Sequence, residues 1–439
     1  MKILLIYPRS EYGVGTEKKK KRWAASYLGF PSITIPYIAA ITPQEHSVEL
    51  LDENYDDIDF DKEVDVVGLP CLTETAFHVY EIADEFRRRG KKVVIGGYHA
   101  SALPREAKMH ADAVVIGEAE VSWPQVLTDI CKGKEKPFYP ADTAFDMACV
   151  PPIRVDLISH QTLFGAVQST RGCVNHCEFC SIMSFYRHGV KHRPVGDVVA
   201  EIQRMPNDFF TFHDPSLTVD PKYTKQLFQR MIDQKITKTW SGSGNANVLS
   251  RIDDDFFRLA RKAGCYQWNI GFESVSQSSL NGASKGCNKV KDFKKIVQRI
   301  HHYGMLVQSG IIFGFDQDTT DVFDKTAEKL HELEIDIVQV NILTPFPGTP
   351  LFDRLEKEGR ILTKDWSKYN LTTVVFKPKH MTEQELFDGA RKVAKEFYCL
   401  SNVLIRASKI LMTAKRLSGF ISISSNFSHR GFYARDYCF

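Results

Sequence analysis

Twice along this chain, short runs of valine, isoleucine and leucine alternate with stretches whose apolar residues recur near every 3.6 positions. In the first alternation KILLIYP (2–8), SVELLDE (47–53), VDVVGLP (64–70), KKVVIGG (91–97) and ADAVVIGE (111–118) read as strands. TIPYIAAI (34–41) and AFHVYEIADEFRRRG (76–90) read as helices between them. Strands this uniformly apolar are buried on both faces, which requires a parallel sheet with helices on each side. The chain is therefore α/β, opening with a doubly wound, Rossmann-like domain over residues 1–131. Its ligand crevice is expected at the carboxyl ends of the strands.

The second alternation spans 164–350. Its strands are GAVQSTR, DFFTFHD, TWSGSGN, CYQWNIGFES, LVQSGIIFGF and DIVQVNILTP, each separated from the next by a helical pattern. Six such units with right-handed crossovers predict a partial (β/α)6 barrel of the TIM type. Residues 132–163 are rich in proline and charge and read as a linker. Residues 351–439 suggest a small helical cap, with no clear assignment for SGFISISSNFSHRGFYARDYCF at its end.

The 439 residues carry 43% apolar and 25% charged side chains, ordinary for a globular protein, and a net charge of only +3. That balance argues against a nucleic-acid partner. The one basic run, Lys18 to Arg22, reads as a solvated loop or a contact for an acidic partner. The opening apolar run is too short for a secretory signal core, and nothing approaches the roughly 20 apolar residues of a spanning helix. A cytoplasmic location is expected, where the ten cysteines serve as thiols or metal ligands rather than disulfides.

Seven cysteines are scattered (Cys71, Cys131, Cys149, Cys265, Cys287, Cys399, Cys438), but Cys173, Cys177 and Cys180 cluster as C-x3-C-x2-C at the end of the first barrel strand. Structural zinc wants four closed ligands. His176 is adjacent, but neighbouring residues rarely turn together onto one ion, and no second cysteine pair completes a finger. An iron–sulfur cluster accepts three thiolates in a tight loop. On a four-iron cluster, three thiolates leave one iron open to a small chelating molecule.

This spacing, with the aromatic Phe179 before the third cysteine, resembles that of the radical S-adenosylmethionine (SAM) enzymes. The resemblance implies a [4Fe-4S] cluster on Cys173, Cys177 and Cys180, whose open iron takes the amino and carboxylate groups of SAM. It also implies an external electron donor and a 5′-deoxyadenosyl radical. FFTFHDPS looks like the family's second-strand motif and places Asp214 near SAM or substrate, although Asp and Ser also cap helices. NIGFES is similar to the fourth-strand motif and offers Glu273 to the ribose or the methionine amine. GIIFGF resembles the fifth-strand motif, putting Gly310 and Gly314 beside adenine, with sheet packing as the plainer account. TPFPGTP resembles the sixth-strand end. The aromatic-rich DWSKYN, with Trp366 and Tyr369, either lines the substrate side or packs.

VGLPCLTETA, VIGGYHASALP and VVIGEAEVSW make the first domain similar to the cobalamin-binding domains that precede many such barrels. The resemblance places Pro70–Thr73 beneath cobalt, with Leu72 as a non-coordinating lid and Cys71 and Thr73 as neighbours. Gly96, Gly97, His99, Gly117 and Glu118 would line the nucleotide tail. Cys71 is alternatively a small buried hydrophobe, and His99 a loop hydrogen-bonder. The cobalamin motif D-x-H-x-x-G is absent, and PRSEYGVG after the first strand holds no histidine, so no histidine ligand to cobalt is expected. A degenerate domain that binds nothing is the opposing account. Together these resemblances imply a cobalamin-dependent radical SAM methyltransferase acting on an sp3 carbon, with methylcobalamin as methyl donor. The substrate class (peptide, lipid or metabolite) is not legible. A ring-forming or carbon–carbon coupling enzyme with the same cofactors is the nearest alternative, and an iron–sulfur sensor the next.

Overall fold

The structure, a computed structural model, describes residues 1–10, 32–141, 145–160, 162–186, 189–413 and 416–434. Most of the loop after the first strand and the Lys18–Arg22 run lie outside the described residues.

Strands β1 (Lys2–Tyr7), β2 (Ser47–Asp52), β3 (Val66–Pro70), β4 (Lys92–Gly96), β5 (Ala113–Ile116) and β6 (Phe138–Pro140) form one sheet in the order β2-β1-β3-β4-β5-β6. Every pairing is parallel. Side chains alternate between faces along each strand, and both faces are dry. Leu4, Ile6, Val67, Leu69, Val93 and Ile95 pack on one side with the helix Ala76–Arg88. Ile3, Leu5, Val66, Val94 and Val115 pack on the other with Trp123 and Ile35 from the helices Ser122–Cys131 and Thr34–Ala40. The segment 132–163 is more than a linker. Its Phe138–Pro140 becomes the sixth strand at the sheet edge, paired with Val114–Ile116. A proline-bounded run of three residues is tolerated there because an edge strand bonds on one side only.

Strands β7 (Phe164–Val167), β10 (Phe209–Phe212), β11 (Thr239–Gly244), β12 (Cys265–Glu273), β13 (Leu306–Phe313) and β14 (Ile337–Ile342) form the second parallel sheet, ordered β14-β13-β12-β11-β10-β7. Sequential order with a helix after each strand is the open barrel expected. β8 (Thr170–Arg171) and β9 (Lys191–His192) make a short antiparallel pair beside it. The barrel core is aromatic. Trp240 and Trp268 meet edge to face at 5.7 Å, and Phe228 stacks on Trp240 at 5.1 Å.

The C-terminal part joins two cores rather than forming its own. The helix Glu383–Phe397, opened by a Thr382–Glu385 capping box, inserts Leu386, Ala390, Val393, Ala394 and Phe397 into the barrel core. Phe352, Trp366, Tyr369 and Val375 pack instead into the core of the first domain. The unassigned terminal stretch is helical over Arg416–Ala434, following the helix Leu400–Thr413.

Trp240 is fully buried, and its Nε1 donates to the carbonyl of Ala263 at 2.9 Å. Trp240→Ala is therefore expected to cost about 3–5 kcal/mol, and Trp240→Phe less. Urea unfolding followed by circular dichroism checks the ranking.

Candidate functional site at the domain boundary

The cysteine loop leaves the barrel through β8. Gly172 has φ +82, and a Cβ there would stand 2.0 Å from the carbonyl oxygen of Gly189, so only glycine makes this exit. Cys177 is buried; Cys173 and Cys180 are partly exposed. The Asn175 N–H lies 3.5 Å from Cys173 Sγ, and Asn245 Nδ2 lies 3.9 Å from the same sulfur. His176 is exposed. Phe179 tilts against Phe315 at 5.9 Å.

Lys285, only 8% exposed, stands among these thiols. Its Nζ is 3.4 Å from Glu273 Oε1. Burial alone would lower its pKa, but Glu273 and the thiols of Cys177, Cys180 and Cys173 hold it above the ordinary value. Burial pushes the Cys177 thiol up to about 12, against the pull of Lys285. A buried ammonium is the compensation that deprotonated thiols need in a dry site. Nothing in NGASKGCN marked this lysine in the sequence.

Glu273 has φ +67, unusual for a side chain with a Cβ. The register of β12 with β13 slips between Gly271 and Glu273, and such a bulge re-aims the residue beyond it. The carboxylate folds back over Gly271, where a Cβ would meet Oε1 at 2.2 Å, and across the sheet a Cβ at Gly310 would come to ordinary contact with Oε2 at 4.0 Å. Glu273, Lys285, Gly310 and the three thiols thus form one group, and the donor set suits a cluster carrying an open iron. Among the described residues, no three His, Cys, Asp or Glu side chains close on the radius of a single ion.

Three further expected site residues have protein contacts of their own. Asp214 is buried beneath the loop, where it accepts hydrogen bonds from the Ser169 N–H at 2.7 Å, the Ser169 hydroxyl and the Thr170 hydroxyl at 3.1 Å. Its carboxylate is occupied in holding the exit of β7, and the next helix is capped by Asp220 instead. Gly314 has φ +105, and its missing Cβ would meet Leu386 at 2.9 Å and Phe376 at 3.1 Å. That glycine lets the C-terminal segment pack close. His99 is buried away from both cavities described below. Its Nε2 is 3.2 Å from Glu106 Oε1 and its Nδ1 is 3.3 Å from Thr73 Oγ1, so it braces the loop after β3.

Two cavities meet at this boundary. One, about 590 Å³, opens at the carboxyl ends of β1 and β3, where the sheet order reverses, and is lined by Cys71, Leu72, Gly96, Gly97, Gly117 and Glu118. Gly97 has φ +99, and a Cβ there would press on the Cys71 backbone at 2.9 Å. The second, about 680 Å³, lies between Leu72, Thr73 and Tyr98 of the first domain and Ser181, Ser184 and Phe185 of the helix that follows Cys180. Leu72 borders both cavities and is 39% exposed. Cys71 is fully buried, and burial drives its thiol pKa upward.

The boundary is held by charge. Arg171, two residues before Cys173, donates to Glu118 at 2.8 Å and to Glu120. Lys191 reaches the other oxygen of Glu118 at 2.7 Å. The Arg171 guanidinium lies 5.2 Å over the ring of Tyr37, whose hydroxyl donates to Glu120. Glu118, expected at the nucleotide tail, is therefore paired across the boundary while still edging both cavities. Tyr98 stacks on Phe185 at 4.3 Å, a second contact between the domains.

A doubly wound domain with a crevice at its switch point, a barrel opening on three clustered thiols, and cavities shared between them define a radical SAM enzyme with a cobalamin domain. Known proteins agree. The family described as "B12 binding domain" matches residues 24–127, "Radical SAM superfamily" matches 167–330, and "Domain of unknown function (DUF4070)" matches 349–429. Bacteriochlorophyllide d C-8(2)-methyltransferase of Chlorobaculum tepidum is 30% identical over 84% of this chain and 86% of its own. The C-12(1)-methyltransferase of the same organism is 28% identical over 91% and 92%. The fold matches that of the radical SAM methyltransferase TsrM from Kitasatospora setae, with a TM-score of 0.71 over 99% of both chains at 14% identity. The chain belongs to the cobalamin-dependent radical SAM methyltransferases. It is an enzyme of C-methylation, and its cofactors are a [4Fe-4S] cluster, SAM and cobalamin. Among the described residues no helix is long and apolar enough to cross a membrane.

Removing one partner of a buried ion pair costs about 3–5 kcal/mol because the other charge stays buried. Arg171→Met, which orphans two carboxylates, is expected to fall in that range. Lys191→Met should cost distinctly less, since Glu118 keeps Arg171. Thermal unfolding of both variants tests the order.

Proposed function

We propose that Cys173, Cys177 and Cys180 hold the cluster and that Glu273 and Lys285 hold the methionine end of SAM, the carboxylate taking its ammonium and the lysine its carboxylate. Gly310 leaves room beside them, and Phe179 closes the apolar side. In the first domain, Gly96, Gly97 and Gly117 admit the nucleotide tail of cobalamin into the first cavity. Leu72 and Thr73 underlie the cobalt, with Leu72 as a lid and Cys71 as packing. Bound in these places, the cluster supplies the electron that opens SAM, and cobalamin supplies the methyl group. The observation that carries this reading is the second cavity. One wall is the loop at Leu72 and the other is the helix that follows Cys180, which supports a substrate carbon placed between the two cofactors.

The same cavity supports a substrate class. Phe346, Pro347, Tyr98, Tyr369, Leu371 and Phe185 line it, and one of its two charged residues, Glu118, is already paired. Such a lining receives an uncharged, largely apolar reacting end. Tyr369 contributes to it, whereas Trp366 packs beneath.

Cys177→Ala should lose nearly all iron and sulfide, while His176→Ala should keep them; iron analysis of both decides the ligand set. With methyl-labelled SAM, the product should gain one labelled methyl by intact mass. A ring-closed product without the label would favour the non-methylating alternative.

Leu72 is half-exposed rather than core, so Leu72→Ala should change stability little, on the order of 0.5 kcal/mol as for surface sites. Opening the lower face to water should slow methyl turnover while leaving 5′-deoxyadenosine formation nearly intact. Quantifying both products in one reaction checks this: an unchanged ratio would assign Leu72 to packing.

A further inference from the structure

The segment 350–376, the first part of the stretch matched as a domain of unknown function, bonds to the cysteine loop directly and to the loop at Leu72 through two intervening side chains. At its start the Leu351 N–H donates to the carbonyl of Glu178 at 3.0 Å, and Arg354 donates to the Glu178 carboxylate at 2.9 Å. Glu178 lies between Cys177 and Phe179. The same guanidinium donates to Asp316 at 2.7 Å, which Arg360 also grips at 2.8 Å. Asp316 follows Phe315, the residue against which Phe179 rests.

At the other end, buried Trp366 donates from Nε1 to Glu106 Oε1 at 2.9 Å. That oxygen also receives the Tyr80 hydroxyl at 3.0 Å and meets His99 Nε2 at 3.2 Å. His99 braces Thr73, the neighbour of Leu72. The span between is stiff. The Trp366 ring meets Phe352 at 6.3 Å and Tyr369 at 5.0 Å. Tyr369 donates to the Thr363 carbonyl at 2.7 Å, and a bridge between Ile361 and Phe376 closes the loop.

We propose that this segment is a strut that fixes the distance and orientation between the cysteine loop and the loop at Leu72, with Arg354 and Trp366 as its positioning residues. The proposal rests on the functional reading above. Directional hydrogen bonds at both ends separate a strut from general packing: one set lands on Glu178 inside the cysteine loop, and the other reaches Thr73 through Glu106 and His99. The Arg354–Glu178 pair is partly exposed, with side chains 32% and 18% accessible, and such pairs contribute little to stability. Its contribution is to geometry, so its loss should leave the protein folded.

The test uses the full chain. Trp366→Phe keeps an aromatic side chain but removes the Nε1–H along with part of the indole, while Arg354→Met releases the cysteine loop. In reconstituted Trp366→Phe, iron and cobalamin content and 5′-deoxyadenosine formation should stay near wild type. Methylated product per 5′-deoxyadenosine should fall about tenfold, since a misplacement of 1 Å can cost about a hundredfold. The double variant should be no worse than the poorer single, because either break disengages the same strut. In cluster-free protein, iodoacetamide should label Cys177 several-fold faster in both variants, although Trp366 acts through the whole segment. An unchanged product ratio and unchanged labelling in Trp366→Phe would overturn the strut, as would single-variant effects that simply multiply. Wild-type protein that binds no cobalamin or forms no 5′-deoxyadenosine would sink the functional reading instead, and the labelling arm would still judge the strut.

Discussion

The guanidinium of Arg171 is buried between two carboxylates from another domain, and this contact sets the geometry of the site. Charges taken out of water are costly unless every partner is in place. Glu118 and Glu120 lie just past β5, while Arg171 and Lys191 face each other across the β8–β9 pair. The network forms only when the carboxyl end of the first sheet meets the mouth of the barrel at one register. Gly172 and Cys173 follow Arg171 directly, so the same contact determines where the thiols stand relative to Leu72 and Gly97. The second cavity is the space left when these ions pair.

A second constraint lies within the barrel. Glu273 occupies a left-handed backbone conformation beyond a bulge, a combination that persists only when its surroundings over-determine it. Here Gly271 yields the space, Gly310 keeps the facing strand clear, and Lys285 supplies the countercharge. The strain delivers a carboxylate and an ammonium to one side of three thiols. A ligand carrying both an amine and a carboxylate, as amino-acid ends do, matches that pair charge for charge.

Much of this was legible in the sequence because it depends on period and spacing. Buried parallel strands need continuous apolar runs, and the five in the first domain and six in the barrel all form. The cysteine trio is local in sequence and needs no tertiary knowledge. What escaped is non-local. Lys285 becomes informative only when β12 and the following loop bring it to the thiols, and Arg171 reads as an ordinary strand-end cation until Glu118 and Glu120 arrive from 53 and 51 residues away. Asp214 and Gly314 carry a structural account as well. Each sits in the expected motif, but a carboxylate that accepts three hydrogen bonds from its own neighbours, or a glycine pressed by Leu386, is already accounted for by packing. His99 likewise lies in the right loop and turns inward. Phe138–Pro140 was hidden because a three-residue edge strand carries too little pattern to rise above its proline and charge.

The two cores show why these contacts act together. Domains joined by small polar interfaces move relative to one another by default. Here the C-terminal chain buries Phe352, Trp366, Tyr369 and Val375 in the first domain and Leu386 to Phe397 in the barrel. Separating the two domains would expose apolar surface at one end and break a buried ion network at the other. The cost of both favours a fixed gap over a hinged one. A fixed gap suits a reaction in which one carbon must lose a hydrogen atom to one cofactor and gain a methyl from another before it meets water. Rigidity between the domains thus does part of what a closing lid does in other enzymes, and selection among substrates falls to the lining of the second cavity.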